Sequence, residues 1–166
     1  MLAAISIIIS VLAFLVTVGQ WHLQRVHNEK SVKPLGQVYF WDRDKTIAVR
    51  VVNNGLGPLI IDQLTFNKSG ISYLRIEDCV DLDPTSYRRI SANDSVQRVI
   101  LPNSHLTIFE TIFEDSDCDA YMDRVRLELS AISLNVNCRD IYDNKIGLER
   151  SFQWFSRYIL KDTTNQ

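Results

Sequence analysis

The sequence predicts a mainly β protein carried on one N-terminal transmembrane helix, its domain an antiparallel sandwich or small barrel with one or two short helices. Two observations predict this. Residues 1–21 form an apolar run without a single charged side chain. Behind it, short β-branched and aromatic runs recur between turns rich in Gly, Pro, Asn and Asp, the pattern of an all-β domain. A third observation bounds the class. The chain has 166 residues, 23% charged and 46% apolar, which is ordinary globular composition. Its net charge of −2, with both signs interspersed, excludes a general nucleic-acid binder.

The apolar run comes first. About 20 residues at about 1.5 Å each span a hydrocarbon core, and Trp21 stands where an interfacial aromatic belongs. A cleaved signal peptide wants a basic start and a small-x-small cleavage site. No Lys or Arg precedes the run and Thr17-Val18-Gly19 is a poor cleavage site, so an uncleaved span is expected. Arg25, Lys30 and Lys33 follow the run, and the positive-inside rule then expects the C-terminal domain in the cytoplasm. Three cysteines at long, irregular spacings, Cys79, Cys118 and Cys138, read as small buried hydrophobes of a reducing compartment rather than a disulfide framework or zinc site, with one bridge plus one free thiol as the alternative.

Within the run, Ala3, Ser6, Ser10, Ala13, Thr17 and Gln20 are spaced 3, 4, 3, 4, 3, a heptad seam on one helix stripe. Small and hydroxyl residues so placed allow close helix approach in lipid, so self-association through this stripe is expected. The competing use of the hydroxyls is bonding back to their own backbone carbonyls. The seam continues through Gln24 and His27, extending the helix beyond the membrane as far as Glu29 and Lys30. The anchor with its extension thus occupies 1–30.

Pro34 ends the helix and opens a β-rich domain over 34–160. Segments 37–41 and 46–52 read as a hairpin around a polar turn, with Val38, Phe40, Val49 and Val51 inward. Asn53-Asn54-Gly55-Leu56-Gly57-Pro58 is the strongest breaker in the chain. Segments 59–66, 95–101, 106–113, 134–138 and 148–155 follow as strands, placing Ile60, Leu64, Ile108, Val136 and Trp154 in the core. Segment 71–80 reads as a short helix or irregular crossover. Residues 120–132 fit a helix, with Asp117 and Asp119 at its start. The last six residues, 161–166, are a polar tail.

An N-terminal span, then His27, Asn28, Ser31, Val32, Lys33 and Pro34, then a strand pair and the 53–58 loop resemble a group of small bacterial membrane proteins with an immunoglobulin-like β-domain. The resemblance covers the first third of the chain. It implies the bacterial inner membrane and carries over no catalytic residue. A looser resemblance is to the membrane-span-plus-β-barrel effectors of bacterial anti-phage systems, which have two spans.

No catalytic, cofactor or metal constellation emerges. Asp115-Ser116-Asp117-Cys118-Asp119 starts like a calcium loop, but Ala120 stands where Gly is needed and Arg126 where the bidentate Glu belongs. HExxH, GxSxG and Walker patterns are absent. Two candidate ligand or partner sites remain. Asn53, Asn54, Gly55 and Gly57 could offer backbone amides, although a strand-connecting turn needs such residues for positive φ regardless. Arg88, Arg89 and Arg98 could pair with a phosphate or nucleotide signal. The expected function is a non-enzymatic binding or sensor module held at the bilayer, self-associating, with a cytoplasmic protein or nucleotide signal as partner. The alternative is a ligand-gated effector that perturbs the membrane.

Overall fold

A computed structural model of the chain describes residues 2–89, 98–114, 117 and 119–157. Asp115, Ser116, Cys118, residues 95–97 of one expected strand, the side chain of Arg89, and 158–166 with the polar tail lie outside the described residues. An uninterrupted helix α1 (Leu2–Ser31) leads into two antiparallel sheets. The first runs in the order β1 (Gly36–Arg43), β2 (Thr46–Asn53), β7 (Ser104–Ile112), β5 (Arg88–Arg89). The second runs β4 (Ile71–Tyr73), β3 (Leu59–Lys68), β8 (Ile132–Arg139), β9 (Lys145–Ser151), with β6 (Arg98–Ile100) also paired to β3. Helix α2 (Asp119–Ser130) crosses from the first sheet to the second, as the spacing of Tyr121, Val125 and Leu129 predicts.

The turns are built by local chemistry. Asp44 and Lys45 both take positive φ between β1 and β2, the two-residue hairpin geometry that matches strand twist. Ser69 and Gly70 repeat it between β3 and β4. Inward residues of both sheets share one core, including Val38, Val49 and Val51 from the first and Phe66, Leu134 and Val136 from the second. The edges of β1 and β9 meet. Arg150 Nη1 donates to the Val38 carbonyl at 3.2 Å, and its guanidinium lies 4.7 Å from the Phe40 ring centre.

Two expected core positions are corrected. Ile60 is only half-buried, and Leu59 and Ile61 face inward instead. The cause is a register shift between Ile61 and Gln63 on β3. The extra residue reverses the alternation, so Leu59 and Ile61 are inward before it and Leu64 and Phe66 after it. Trp154 is 36% exposed, because the expected last strand stops at Ser151 and 152–157 form a 3₁₀ turn. Phe152 and Phe155 are buried in its place and pack edge-on to Phe40 or tilted against it. The 71–80 segment holds β4 and a 3₁₀ turn (Ile76–Asp78).

Strand registers place the 3₁₀ turn and α2 at the end of the sandwich far from α1. Polar clamps fasten α2 there. Arg126 Nε and Nη2 donate to Asp42 at 3.1 and 2.9 Å, with Asp42 almost wholly buried at the hairpin end of β1. Lys68 Nζ donates to Glu128 and to the Cys79 carbonyl. Burial opposes the charge of Glu128. The Lys68 hydrogen bond, the Asp81 N–H and the charges of Lys68 and Arg124 outweigh it and hold the carboxyl below its usual range.

Val51→Asp is expected to bury an unpaired carboxylate beside the core and cost roughly 3–5 kcal/mol, read as lost cooperative melting of the full chain. A melting temperature unchanged from the parent would refute this strand register. The depressed Glu128 carboxyl stabilises the fold above the unfolded-chain value of about 4.3, and that share is lost as pH falls through the lower folded value. Glu128→Gln should therefore flatten the acid side of the melting-temperature profile while lowering the plateau near neutrality.

Candidate functional site

The end of the sandwich next to α1 is organised by one buried side chain. Asn53 ends β2 and has no accessible surface. Its Oδ1 accepts from the backbone N–H of Leu35 at 3.2 Å and of Gly55 at 3.0 Å. Its Nδ2 donates to the carbonyls of Gly57 at 2.7 Å and Ile100 at 3.0 Å. All four hydrogen-bonding capacities of the amide are used, and the partner types fix its orientation. The Asn53 backbone carbonyl accepts from Asn103 N–H at 2.9 Å. One residue thus ties the first sheet, the end of β6 in the second, and the linker from α1.

The glycines of the same loop serve close approach rather than positive φ. Gly70 is the positive-φ glycine among the described residues. A Cβ on Gly55 would run into the backbone of 33–35, and one on Gly57 into the Val32 carbonyl. Pro34 is buried and Asn54 N–H donates to the Leu35 carbonyl at 2.9 Å. Of the four residues expected to offer amides to a ligand, Asn53, Gly55 and Gly57 hold the chain's own linker. Asn54 Nδ2 reaches Gln37 at the surface.

Arg88 lies on β5 of the first sheet and Arg98 on β6 of the second. Arg88 borders a shallow groove of about 220 Å³ with Thr85, Tyr87 and Glu110. Burial lowers the pKa of Arg98 from its ordinary value. Among the described residues no group of three or more His, Cys, Asp or Glu is placed to hold a metal. Asp117 instead accepts from Glu114 N–H at 2.7 Å. Cys79 and Cys138 are free and buried. Burial, with Asp78 near the first and Asp62 near the second, pushes both thiols up to about 11, so neither is a nucleophile at neutral pH.

α1 is the one helix among the described residues long and apolar enough to cross a membrane, and its apolar stretch is buried against nothing. The same length and composition fit an N-terminal signal segment. On the small-residue stripe, Ser10 and Thr17 donate to the carbonyls of Ser6 and Ala13 at 2.9 and 2.8 Å. Beyond the apolar part, Arg25 pairs with Glu29 one turn on at 3.2 Å. Trp21, Gln24, Arg25, Asn28 and Glu29 line a groove of about 360 Å³ closed on its other side by Tyr142 of the β8–β9 turn. Asp140 holds that turn, accepting from the N–H of Tyr142 and Asn144 and from Asn144 Nδ2 at 2.8–2.9 Å. Burial opposes the charge of Asp140, but these bonds and nearby Lys33 leave its carboxyl below the usual range. Sequence reading did not reach this groove, because the spacing of 21, 24, 25, 28 and 29 marks a helix face without saying which turn of the domain meets it.

No known protein family matches the chain, and no curated protein matches it. Among solved structures, the archaellum periplasmic stator protein FlaG from Sulfolobus acidocaldarius is similar at a TM-score of 0.26 and 9% identity, over 70% of this chain and 100% of the FlaG chain. A likeness of that size carries no argument about fold or function.

Asn53→Asp keeps the two acceptances and loses both donations, leaving the Gly57 and Ile100 carbonyls short. A cost of roughly 2–4 kcal/mol is expected, at about 1–3 for each stranded buried group. Gly57→Ala should expose the Leu35 amide to hydrogen exchange, whereas the conformationally demanding but open Gly70→Ala should leave that amide protected. Unchanged Leu35 protection in Gly57→Ala would refute the clamp.

Proposed function

We propose that the chain is a single-pass protein of the bacterial inner membrane whose β domain is a non-enzymatic binding module on the cytoplasmic side, self-associating through its span. The observation that carries this reading is the union of an exposed apolar helix with a domain that grips its linker. A helix of about 30 residues extends roughly 45 Å, of which the hydrocarbon core takes about 30 Å. The remainder leads straight into the Asn53 clamp, so the domain is held at a fixed place near the bilayer rather than on a loose tether.

The charge pattern supports the orientation. Arg25, Lys30 and Lys33 follow the apolar part, and basic residues so placed favour the cytoplasmic side. Free, buried Cys79 and Cys138 fit a reducing compartment. The binding role rests on exposed grooves on the sheets. One, of about 320 Å³, is bordered by Gln37, Tyr39, Arg50 and His105. Because Ser10 and Thr17 are already bonded within the helix, association would rest on close approach at Ala3, Ser6 and Ala13, with Gln20 bonding across. Each such polar contact is worth about 0.6 kcal/mol and at most about 2.

Two measurements test the reading. A C-terminal fluorescent reporter should be active in the cytoplasm and a C-terminal alkaline phosphatase inactive; the reverse pattern would overturn the orientation. In an in-membrane association assay, Ser10→Leu combined with Ala13→Leu should reduce the signal several-fold. Ile8→Leu with Leu15→Ile, on the opposite face, should leave it intact. Equal behaviour of the two faces, or no signal from the parent, would remove self-association from the proposal.

A further inference from the structure

We propose that the groove between the extension of α1 and the β8–β9 turn is a seat for the headgroup of an aminophospholipid, a lipid carrying a phosphate and a primary ammonium. This rests on the anchored reading above and adds a ligand to it.

Depth is the first argument. The apolar run closes at Gln20, and about 19 helical residues span about 28 Å, the thickness of a hydrocarbon core. Trp21 therefore stands at its boundary. From Trp21 to Glu29 the helix rises about 12 Å, which covers the headgroup layer of about 5–8 Å on one side of a bilayer. The groove opens at that level. It is lined by Trp21, Gln24, Arg25, Asn28 and Glu29 on one helix face and by Tyr142 opposite.

Chemistry is the second. Arg25 and Glu29 stand one turn apart with their charged ends 3.2 Å from each other, and both remain open to solvent. A phosphate on the guanidinium and an ammonium on the carboxylate would match that pair of charges in sign and order. Gln24 and Asn28 offer amide donors and acceptors between them. Trp21 and Tyr142 flank the groove as the two residue types that prefer the membrane–water boundary.

Preorganisation is the third. Ile141 and Tyr142 are 49% and 44% exposed at the tip of a hairpin, an unfavourable place for large apolar side chains facing water alone. The turn is nevertheless rigid, because buried Asp140 accepts three hydrogen bonds within it. Such a turn sets Tyr142 against the face of α1 that carries Arg25 and Glu29. In the bilayer, Tyr142 closes the groove over a headgroup.

The test uses the full chain, reconstituted in nanodiscs of phosphatidylethanolamine or of phosphatidylcholine and then exchanged into detergent, with bound phospholipid counted by native mass spectrometry. The parent should retain about one phosphatidylethanolamine per chain and at least five-fold less phosphatidylcholine, whose quaternary ammonium cannot donate a hydrogen bond to Glu29. Arg25→Gln and Tyr142→Ser should each lower retention at least five-fold. Glu29→Gln should abolish the preference between the two lipids. Tyr39→Ser, an exposed tyrosine away from the groove, should retain lipid like the parent. All four positions are exposed or half-exposed, and an unchanged melting temperature checks each fold. Retention equal across the four variants, or equal for the two lipids in the parent, would overturn the seat. Carbonate extraction run on the same membranes separates the two readings: a chain released by carbonate refutes the anchor itself, whereas a chain that stays in the pellet but keeps no phosphatidylethanolamine refutes the seat alone.

Discussion

The architecture depends on one buried amide. Asn53 satisfies two backbone donors and two backbone acceptors that come from three different parts of the chain. No other side chain of that size does this. Aspartate cannot donate, a hydroxyl has one proton, and an apolar residue would strand four buried backbone groups at about 1–3 kcal/mol each. The knot also explains its neighbours. A linker passing that close leaves no room for a Cβ at Gly55 or Gly57, and buried Pro34 stiffens the passing segment. The loop composition follows from packing the linker after α1 onto the domain.

The two ends of the sandwich are closed by different physics. At the anchor end the closure is neutral and made of backbone hydrogen bonds to one side chain. At the far end it is ionic and aromatic. Arg126 grips Asp42 with two bonds, Lys68 reaches Glu128, and Phe152 and Phe155 fill the space behind Phe40. A bidentate pair as buried as Arg126 and Asp42 contributes little net stability when whole, but breaking one partner leaves a charge without compensation. That makes it a device for fixing where α2 sits. The α2 sequence alone, with mixed charge and few apolar residues, specifies its position weakly.

Periodicity carried the elements well and their exceptions poorly. The apolar helix, the first hairpin, α2 and the β-rich domain were legible because each repeats one spacing over many residues. Ile60 was misplaced because a single bulge at Asp62 and Gln63 reverses the alternation, and no composition signal marks that spot. Trp154 was misplaced because Phe152, Trp154 and Phe155 fit a strand as well as a 3₁₀ turn, and the choice is made by contact with Phe40 from more than a hundred residues earlier. The glycines of the 53–58 loop were legible as a turn but not in their purpose, since close approach by a distant segment leaves no local trace. Asn53 itself looked like one more turn residue. Its role lies in the coincidence of four partners, which only the folded chain assembles.

Helical geometry links the anchor's faces to the domain. Each residue turns the helix by about 100° and raises it by about 1.5 Å. Gln24 continues the seam of small residues and, with Arg25, lines the groove beneath Tyr142. The seam therefore adjoins the face turned to the domain, with Gln24 on both. The clamp at Asn53 makes that relation fixed, because α1 runs unbroken to Ser31 and the linker is held from Val32 to Leu35. A rotation of the span would then be carried into both sheets at once. Which face of α1 meets the domain is in this way set by the number of residues between Gln20 and Pro34.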